Sequence, residues 1–257
     1  METSERIHHC ATISLRFKGY LFDFKTQTQA IAAIRDVLFG NPYKYLLSEA
    51  GIVPGTITPS SILLGTQNAG ERPRGVLVDF DISTSTKRAD RQSTQGPLKM
   101  YKSAAGIASC DPHNHPSPPH DEMDDLESAH YVLSELMFGF KGPKRKLVSK
   151  RRPEMLVKWE RETYSNAYAS KLAYFSDEDL DTEDVPAYWQ PACKMLLCGL
   201  HRLLTPVVRK KRRLAKLYHE EDRKALECLL EGSGALYQSA LELFDKALAE
   251  LRDAEVA

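Results

Sequence analysis

Apolar residues occur in two patterns along this chain, a helical spacing and short continuous runs, and each pattern predicts a different element. Over Gln27–Phe39 they recur every three or four residues, which is typical of an amphipathic helix, and Gly40-Asn41-Pro42 ends it. The same spacing predicts helices over residues 43–50, 125–138, 161–175, 189–208, 213–230 and 235–251, with Pro206 disturbing one of them. Short apolar runs predict a hairpin from residues 62–64 and 75–80, and extended chain over 13–24. The fold is therefore predicted to be mainly α, with one small β-hairpin near its start.

Three stretches lack this periodicity. Residues 83–120 are rich in Ser, Lys, Pro and His and predict a long loop. Residues 140–152 form a basic segment with Gly and Pro, and residues 176–184 form an acidic linker.

Charge and composition narrow the classes of partner. The chain has 257 residues with 35 basic and 35 acidic side chains, a net charge of +0, so it offers no global attraction for nucleic acid or anionic membrane. No apolar run approaches the roughly 18–20 residues that span a bilayer, and residues 1–10 lack the apolar core of a signal peptide. Five cysteines, an odd number, favour a reducing compartment. We expect an intracellular protein, in cytosol or nucleus, with no membrane partner.

Several motifs occur in an order that points to one family. A polar loop runs into Ile62-Leu63-Leu64, a second strand ends on Asp79-Phe80-Asp81, and an acidic helix start follows at Asp124-Asp125-Leu126-Glu127-Ser128. This order resembles the C-terminal lobe of the fungal-type protein kinase family. Further matches are Gly19-Tyr20-Leu21-Phe22-Asp23-Phe24, Ala50-Gly51-Ile52, His120, Tyr131-Val132-Leu133, Trp159 and Lys171. The resemblance covers roughly residues 15 to 205.

The resemblance implies a domain organisation. Residues 1–26 would be a remnant of the lobe junction, 27–208 a kinase-like C-lobe with a long loop over 83–120, and 209–257 a C-terminal helical extension. The N-lobe would be largely absent, because no Gly-x-Gly-x-x-Gly precedes residue 26 and 18 residues cannot build five strands. No cofactor is expected, and Mg-ATP is the ligand if any nucleotide site survives.

The catalytic loop departs from the family pattern at the residues that do chemistry. With Ile62-Leu63-Leu64 aligned, the catalytic aspartate falls on Thr56 and the metal-binding asparagine falls on Ser61. A kinase needs that aspartate to accept the substrate hydroxyl and that asparagine to hold a second Mg²⁺. Thr56 is no carboxylate base, and loss of a positioned base costs on the order of 10²–10⁴ in rate.

Two aspartates keep family positions. Asp79 would hold the Mg²⁺ that bridges the nucleotide phosphates, or would simply cap a turn at the end of a strand. Asp125 looks like the buried acid at the start of the central helix, which in kinases accepts hydrogen bonds from the catalytic-loop backbone. Residues 96–104, within the long loop, align with the activation segment of the family. They keep Gly96, but the glutamate that ties this segment to the lobe falls on Ala104.

Three other signals each allow two interpretations. His113, His115 and His120, with Asp121, could bind Zn²⁺ or Cu²⁺ or could lie in a solvated loop. The basic run Arg209, Lys210, Lys211, Arg212 and Arg213 could be a nuclear-targeting or polyanion patch, or a solvated helix end. The apolar stripe over residues 236–251 could form a partner-binding helix, or it could pack on the helix predicted over residues 213–230.

Two functions follow from the resemblance. The first is a truncated fungal-type kinase domain, a pseudokinase with little or no phosphotransfer that binds or scaffolds an unknown protein partner, or a fragment with no role of its own. The second is an active ATP-dependent serine/threonine kinase with an atypical catalytic loop. Nucleic acid is an unlikely partner for either.

Overall fold

A computed structural model describes residues 19–40, 56–65, 74–78, 99–108, 120–215, 224–225, 228–229 and 231–256. Its helices in these ranges are α1 (Gln27–Phe39), α2 (Ala104–Ala108), α3 (Glu122–Gly139), α4 (Glu154–Arg161), α5 (Tyr164–Tyr174), α6 (Pro191–Ala215) and α7 (Ser233–Val256). Its strands are β1 (Ile62–Leu64) and β2 (Gly75–Leu77), and short 3₁₀ turns span Leu21–Asp23, Pro59–Ser61 and Ser149–Arg151. The protein is mostly helical, as the periodicity predicts.

The predicted hairpin is confirmed. β1 and β2 pair antiparallel, with Leu63 opposite Val76. Gly75 lies so close to α1 that a Cβ there would come within 2.2 Å of the carbonyl oxygen of Ala33, so only glycine fits. Tyr20 adds a single bridge to Leu63, but the chain then enters the 3₁₀ turn. Extended structure is therefore the wrong prediction for residues 21–23.

Helix α1 has the predicted bounds. Thr26 caps it by accepting a hydrogen bond from the backbone N–H of Gln29, which satisfies a free donor at the helix start. Most of its side chains are buried, because the hairpin covers one side and α7 covers another. Arg35 of α1 also pairs with Asp245 of α7 at 2.8 Å.

Helix α3 is the central helix of the core. Asp121 caps it, so it begins three residues before the predicted start at Asp125. All of its residues from Met123 to Gly139 are buried, as the scarcity of charge along its apolar face predicts.

The C-terminal half departs from the predicted helix bounds. The helix predicted over 161–175 corresponds to α5, which begins at Tyr164, and α4 (Glu154–Arg161) was missed. Helix α6 continues through Pro206 to Ala215 instead of ending at Val208. Proline in a helix costs about 3 kcal/mol, and burial of the apolar side chains of Leu204 and Val208 on one face of α6 offsets that cost.

One face of helix α7 packs on α6 and on α1, and the other is exposed. Gly199 lets α6 and α7 approach closely, since a Cβ there would lie 2.8 Å from Leu243. Phe244 and Leu251 of the buried face join the hydrophobic core. The C-terminal stripe therefore packs within the molecule, but on α6 and α1, and most of the helix predicted over 213–230 lies outside the described residues. None of the helices in the described ranges has the length and apolar character to cross a bilayer.

Candidate functional site

The loop before β1 contains Thr56 and Ser61, which the sequence analysis aligns with the catalytic aspartate and the metal-binding asparagine of a kinase. Thr58 caps a 3₁₀ turn, and its Oγ1 accepts a hydrogen bond from Ser61 N at 3.1 Å. The Ser61 hydroxyl donates to the Thr58 carbonyl and accepts from the Thr58 N–H, both at 2.9 Å. Ser61 is buried, and Thr56 is half-buried. Both backbone contacts of the Ser61 hydroxyl are internal to the loop.

No side chain between Thr56 and Ser61 is ionisable at neutral pH. These residues offer hydroxyls and backbone groups, which can hydrogen-bond but cannot act as a carboxylate base. The Ser61 carbonyl accepts from Val78 N at 2.8 Å, which joins the loop to the residue after β2.

Helix α3 is hydrogen-bonded to this loop. Ser128 Oγ donates to the carbonyl of Ile57 at 2.9 Å, and both residues are buried. One turn earlier, Asp125 is fully buried and its Oδ1 lies 2.6 Å from His120 Nε2. Asp125 is buried as the sequence predicts, while its role as the anchor of the loop backbone stays a prediction. Ser128 was missed by the sequence analysis, although it belongs to the Asp-Asp-Leu-Glu-Ser motif.

The start of α3 also holds a cluster of charges. Lys211 Nζ, nearly inaccessible, lies 2.8 Å from Asp121 Oδ2 and 2.8 Å from Asp124 Oδ1. Burial would lower the pKa of Lys211, but the charges of Asp124 and Asp121 outweigh it and the pKa is raised. This member of the basic run is therefore a buried ion-pair partner rather than a solvated side chain.

His120 belongs to the same cluster. Burial alone would lower its pKa, yet the hydrogen bond with Asp125 and the charges of Asp125, Asp124 and Asp121 outweigh that effect and raise the pKa. His120 is thus favoured in its charged form.

Helix α2 (Ala104–Ala108) lies within the stretch predicted as a loop over 83–120, so that prediction is wrong for residues 104–108. The segment of residues 100–104 before it is attached to α3 and α5 without the glutamate that we align with Ala104. Lys171, fully buried in α5, donates to the carbonyls of Met100 and Lys102 at 2.8 and 2.5 Å. Its ammonium lies 3.5 Å from the centre of the Tyr131 ring. Burial lowers the pKa of Lys171 well below its ordinary value, and the charge of Glu127 opposes this.

Glu127 and Glu135 of α3 complete the attachment. Glu127 accepts a hydrogen bond from the Ala104 N–H at 2.7 Å, so this backbone is held at the position where the family glutamate is lost. Burial raises the pKa of Glu127, against the hydrogen bonds that it accepts. Glu135 accepts from the hydroxyl of Tyr101 and pairs with Arg152 at 3.1 Å. In the sequence, the signal for this role was the presence of two glutamates within an otherwise largely apolar helix.

A comparison with family models decides whether this chain is related to the kinases or is an unrelated helical protein. A family model described as fungal protein kinase matches residues 2–137, more than half of the chain. The chain belongs to the fungal protein kinase family. No curated protein and no solved structure matches it.

The match to the fungal kinase family begins earlier and ends earlier than the resemblance in the sequence suggested. It includes the catalytic-loop positions and nearly all of α3, and it ends at Met137. Residues 138–205 lie beyond it, so the family likeness of Trp159 and Lys171 stays a prediction.

Some predicted site residues of this kinase-family chain fall outside the described residues. These are Asp79, the candidate Mg²⁺ ligand, and His113 and His115 of the candidate Zn²⁺ or Cu²⁺ site. Among residues that the structure describes, no group of three metal-binding side chains comes together. His120 and Asp121 instead contact Asp125 and Lys211.

Proposed function

We propose that this kinase-family chain has the fold of a kinase C-lobe and little or no phosphotransfer activity, and that it acts as a binding or scaffold module. The observation that carries the proposal is the absence of any carboxylate side chain from residues 56–61, in which we align Thr56 with the catalytic aspartate. Phosphoryl transfer depends on positioning and charge, and this loop supplies no carboxylate to orient a substrate hydroxyl.

The hydrogen bonds of Ser61 support the same proposal. Its hydroxyl binds the backbone of Thr58, and its position is the one at which a kinase has the metal-binding asparagine. A neutral hydroxyl is a weak Mg²⁺ ligand even when it is free. Asp79 alone would leave Mg²⁺ with a single protein carboxylate, so we expect no bound cofactor and name Mg-ATP as the ligand to test.

The support beneath the loop favours a scaffold that keeps its shape without catalysis. Ser128 donates a hydrogen bond to the carbonyl of Ile57, and Lys171 donates one to the carbonyl of Met100. These contacts fasten loops to helices and need no nucleotide. They would preserve a surface for a protein partner after loss of activity.

A phosphotransfer assay with labelled Mg-ATP and a serine/threonine peptide library tests the proposal. We expect the wild type and Asp79→Ala to give the same background signal. Incorporation above background that Asp79→Ala abolishes would overturn the proposal in favour of an active kinase with an atypical loop. The variant also controls for a contaminating kinase, whose signal would persist.

We also place the protein inside the cell, in the cytoplasm or the nucleus. Lys210, Arg212 and Arg213 are exposed on α6 and so are accessible to an import receptor. Imaging of a fluorescent fusion, with the three residues replaced by alanine, distinguishes the two compartments.

A further inference from the structure

A basic cavity lies between the C-terminal end of α5 and the last turns of α6. Its volume is about 410 Å³, within the range of small-ligand sites. Three guanidinium groups line it, from Arg209, Arg212 and Arg213. Leu172 and Val208 supply an apolar wall, and none of the lining residues is acidic.

Arg209 is held in place at the inner side of the cavity. Its Nε donates to the carbonyl of Phe175 at 2.9 Å, and its guanidinium also donates to the carbonyl of Ser176. These bonds neutralise the exposed carbonyls at the end of α5, which would otherwise repel an anion. A guanidinium has five N–H donors, so donors remain for a ligand.

Arg212 and Arg213 differ from Lys211, which lies between Arg212 and Lys210 in the sequence. Lys211 is paired with two carboxylates. In the part of the chain that the structure describes, Arg212 and Arg213 make no hydrogen bond or ion pair, and both are exposed. Three positive charges thus face one cavity without a lining carboxylate, an arrangement that an anion stabilises.

We propose that this cavity binds a phosphate monoester carried on an apolar group. Arginine recognises phosphate through paired N–H donors, and two free side chains beside one fixed guanidinium can surround its oxygens. The wall of Leu172 and Val208 receives the apolar part of the ligand. A small organophosphate and a phosphoserine peptide share this chemistry. The lining comes from α5, the two residues after it and α6, and it includes no residue of the loop over 56–61.

Isothermal titration of the full chain tests the site with three probes: phenyl phosphate, a phosphoserine peptide with apolar neighbours, and its unphosphorylated twin. We expect saturable binding of a phosphorylated probe and none of the twin. The double variant Arg212→Ala/Arg213→Ala should weaken that binding by about tenfold or more, because charge-assisted hydrogen bonds are lost. Tighter binding of the peptide assigns a peptide ligand, and tighter binding of phenyl phosphate assigns a small one.

Lys210→Ala is the matched control, since it removes one charge from an exposed residue that does not line the cavity. We expect it to change binding less than about twofold, as for a charge that acts only through solvent. Loss equal to that of the double variant would overturn the site, because binding would then follow net charge. Absence of saturable binding by either phosphorylated probe at millimolar concentration would overturn it as well. Thermal unfolding of each variant confirms that the fold is intact.

Discussion

The hydroxyl of Ser61 hydrogen-bonds both backbone groups of Thr58, at 2.9 Å in each direction. The hydroxyl of Ser61, the residue that we align with the metal-binding asparagine of a kinase, thus has a structural role in this loop. The 3₁₀ turn that these bonds close is joined through Ile57 to Ser128 of the central helix. Residues 56–61, which we align with the catalytic loop of the family, form a folded element without ionisable side chains.

Replacement of Ser61 by alanine tests the structural role of that hydroxyl. The buried N–H of Thr58 would lose its partner, whereas the Thr58 carbonyl would keep the bond from the Ser61 N–H, so we expect a loss of about 1–3 kcal/mol in the free energy of unfolding. Ser60→Ala is the control on the exposed side of the same turn and should stay within about 0.5 kcal/mol of wild type. Urea denaturation measures both. Equal effects would show that the Ser61 bonds contribute nothing specific.

Lys211→Met tests the ion-pair cluster at the start of α3. Removal of the ammonium leaves Asp121 and Asp124 buried without their cation, and breaking such a pair costs about 3–5 kcal/mol. Lys210→Met changes an exposed neighbour on the same helix and should cost less than about 0.5 kcal/mol. Each variant removes one positive charge, so chemical denaturation of the two under the same conditions separates the effect of losing a buried charge from the effect of losing any positive charge. A loss below 1 kcal/mol for Lys211→Met would contradict the cluster as described.

The cluster shows what a sequence pattern can and cannot predict. The apolar periodicity predicted α1, the hairpin and the body of α3, because each element buries a face that its own spacing defines. The contact between Lys211 and Asp121 joins residues 90 positions apart, and no local pattern contains it. The charges of the basic run looked alike in the sequence, and only packing of α6 against α3 distinguishes Lys211 from Arg212.

The errors in the helix bounds have the same origin. Local propensity places a break at Pro206, whereas the buried side of α6 continues on both sides of it. The start of α5 at Tyr164, three residues after the predicted start at Arg161, depends on Thr163, which caps α5 by accepting from Asn166 N. Periodicity alone does not register this short-range signal. At the site, the motif order located Thr56, Ser61 and Asp125, and the partners of these residues required the fold.

Lys171→Met tests the attachment of the segment around Met100. The variant would remove the donor from the carbonyls of Met100 and Lys102, so we expect a loss of about 1–3 kcal/mol in unfolding free energy. Trypsin should also cleave after Lys102 faster, because the segment would open locally. Lys141→Met, an exposed lysine elsewhere, is the control. Unchanged cleavage at Lys102 would show that other contacts hold the segment.

The charged cluster around His120 predicts a dependence of stability on pH. The pKa of His120 is raised in the fold by Asp125, Asp124 and Asp121 against the effect of burial. Its contribution is therefore fully present below the unfolded pKa of about 6.5 and is lost as pH rises through the higher folded value. His120→Gln should destabilise the protein most in acid, and the difference from wild type should narrow as pH rises.

His130 and His201 act in the opposite direction and must be separated from His120. Burial lowers the pKa of both, so their neutral forms stabilise the fold above about pH 6.5 and that stability is lost as pH falls toward the folded values. Subtraction of the His120→Gln profile from the wild-type profile removes their contribution. A difference that widens with rising pH would contradict the raised pKa of His120.

The central claim is that this loop no longer serves a magnesium–nucleotide site. A thermal-shift titration with Mg-ATP, on wild type and on Asp79→Ala, tests it most directly. A ligand at 100 times its dissociation constant would add about 2.7 kcal/mol, a rise of roughly 5–10 °C in the melting temperature. We predict no shift for either protein at millimolar nucleotide. A saturable shift in the wild type that Asp79→Ala abolishes would contradict the account and show a working metal–nucleotide site.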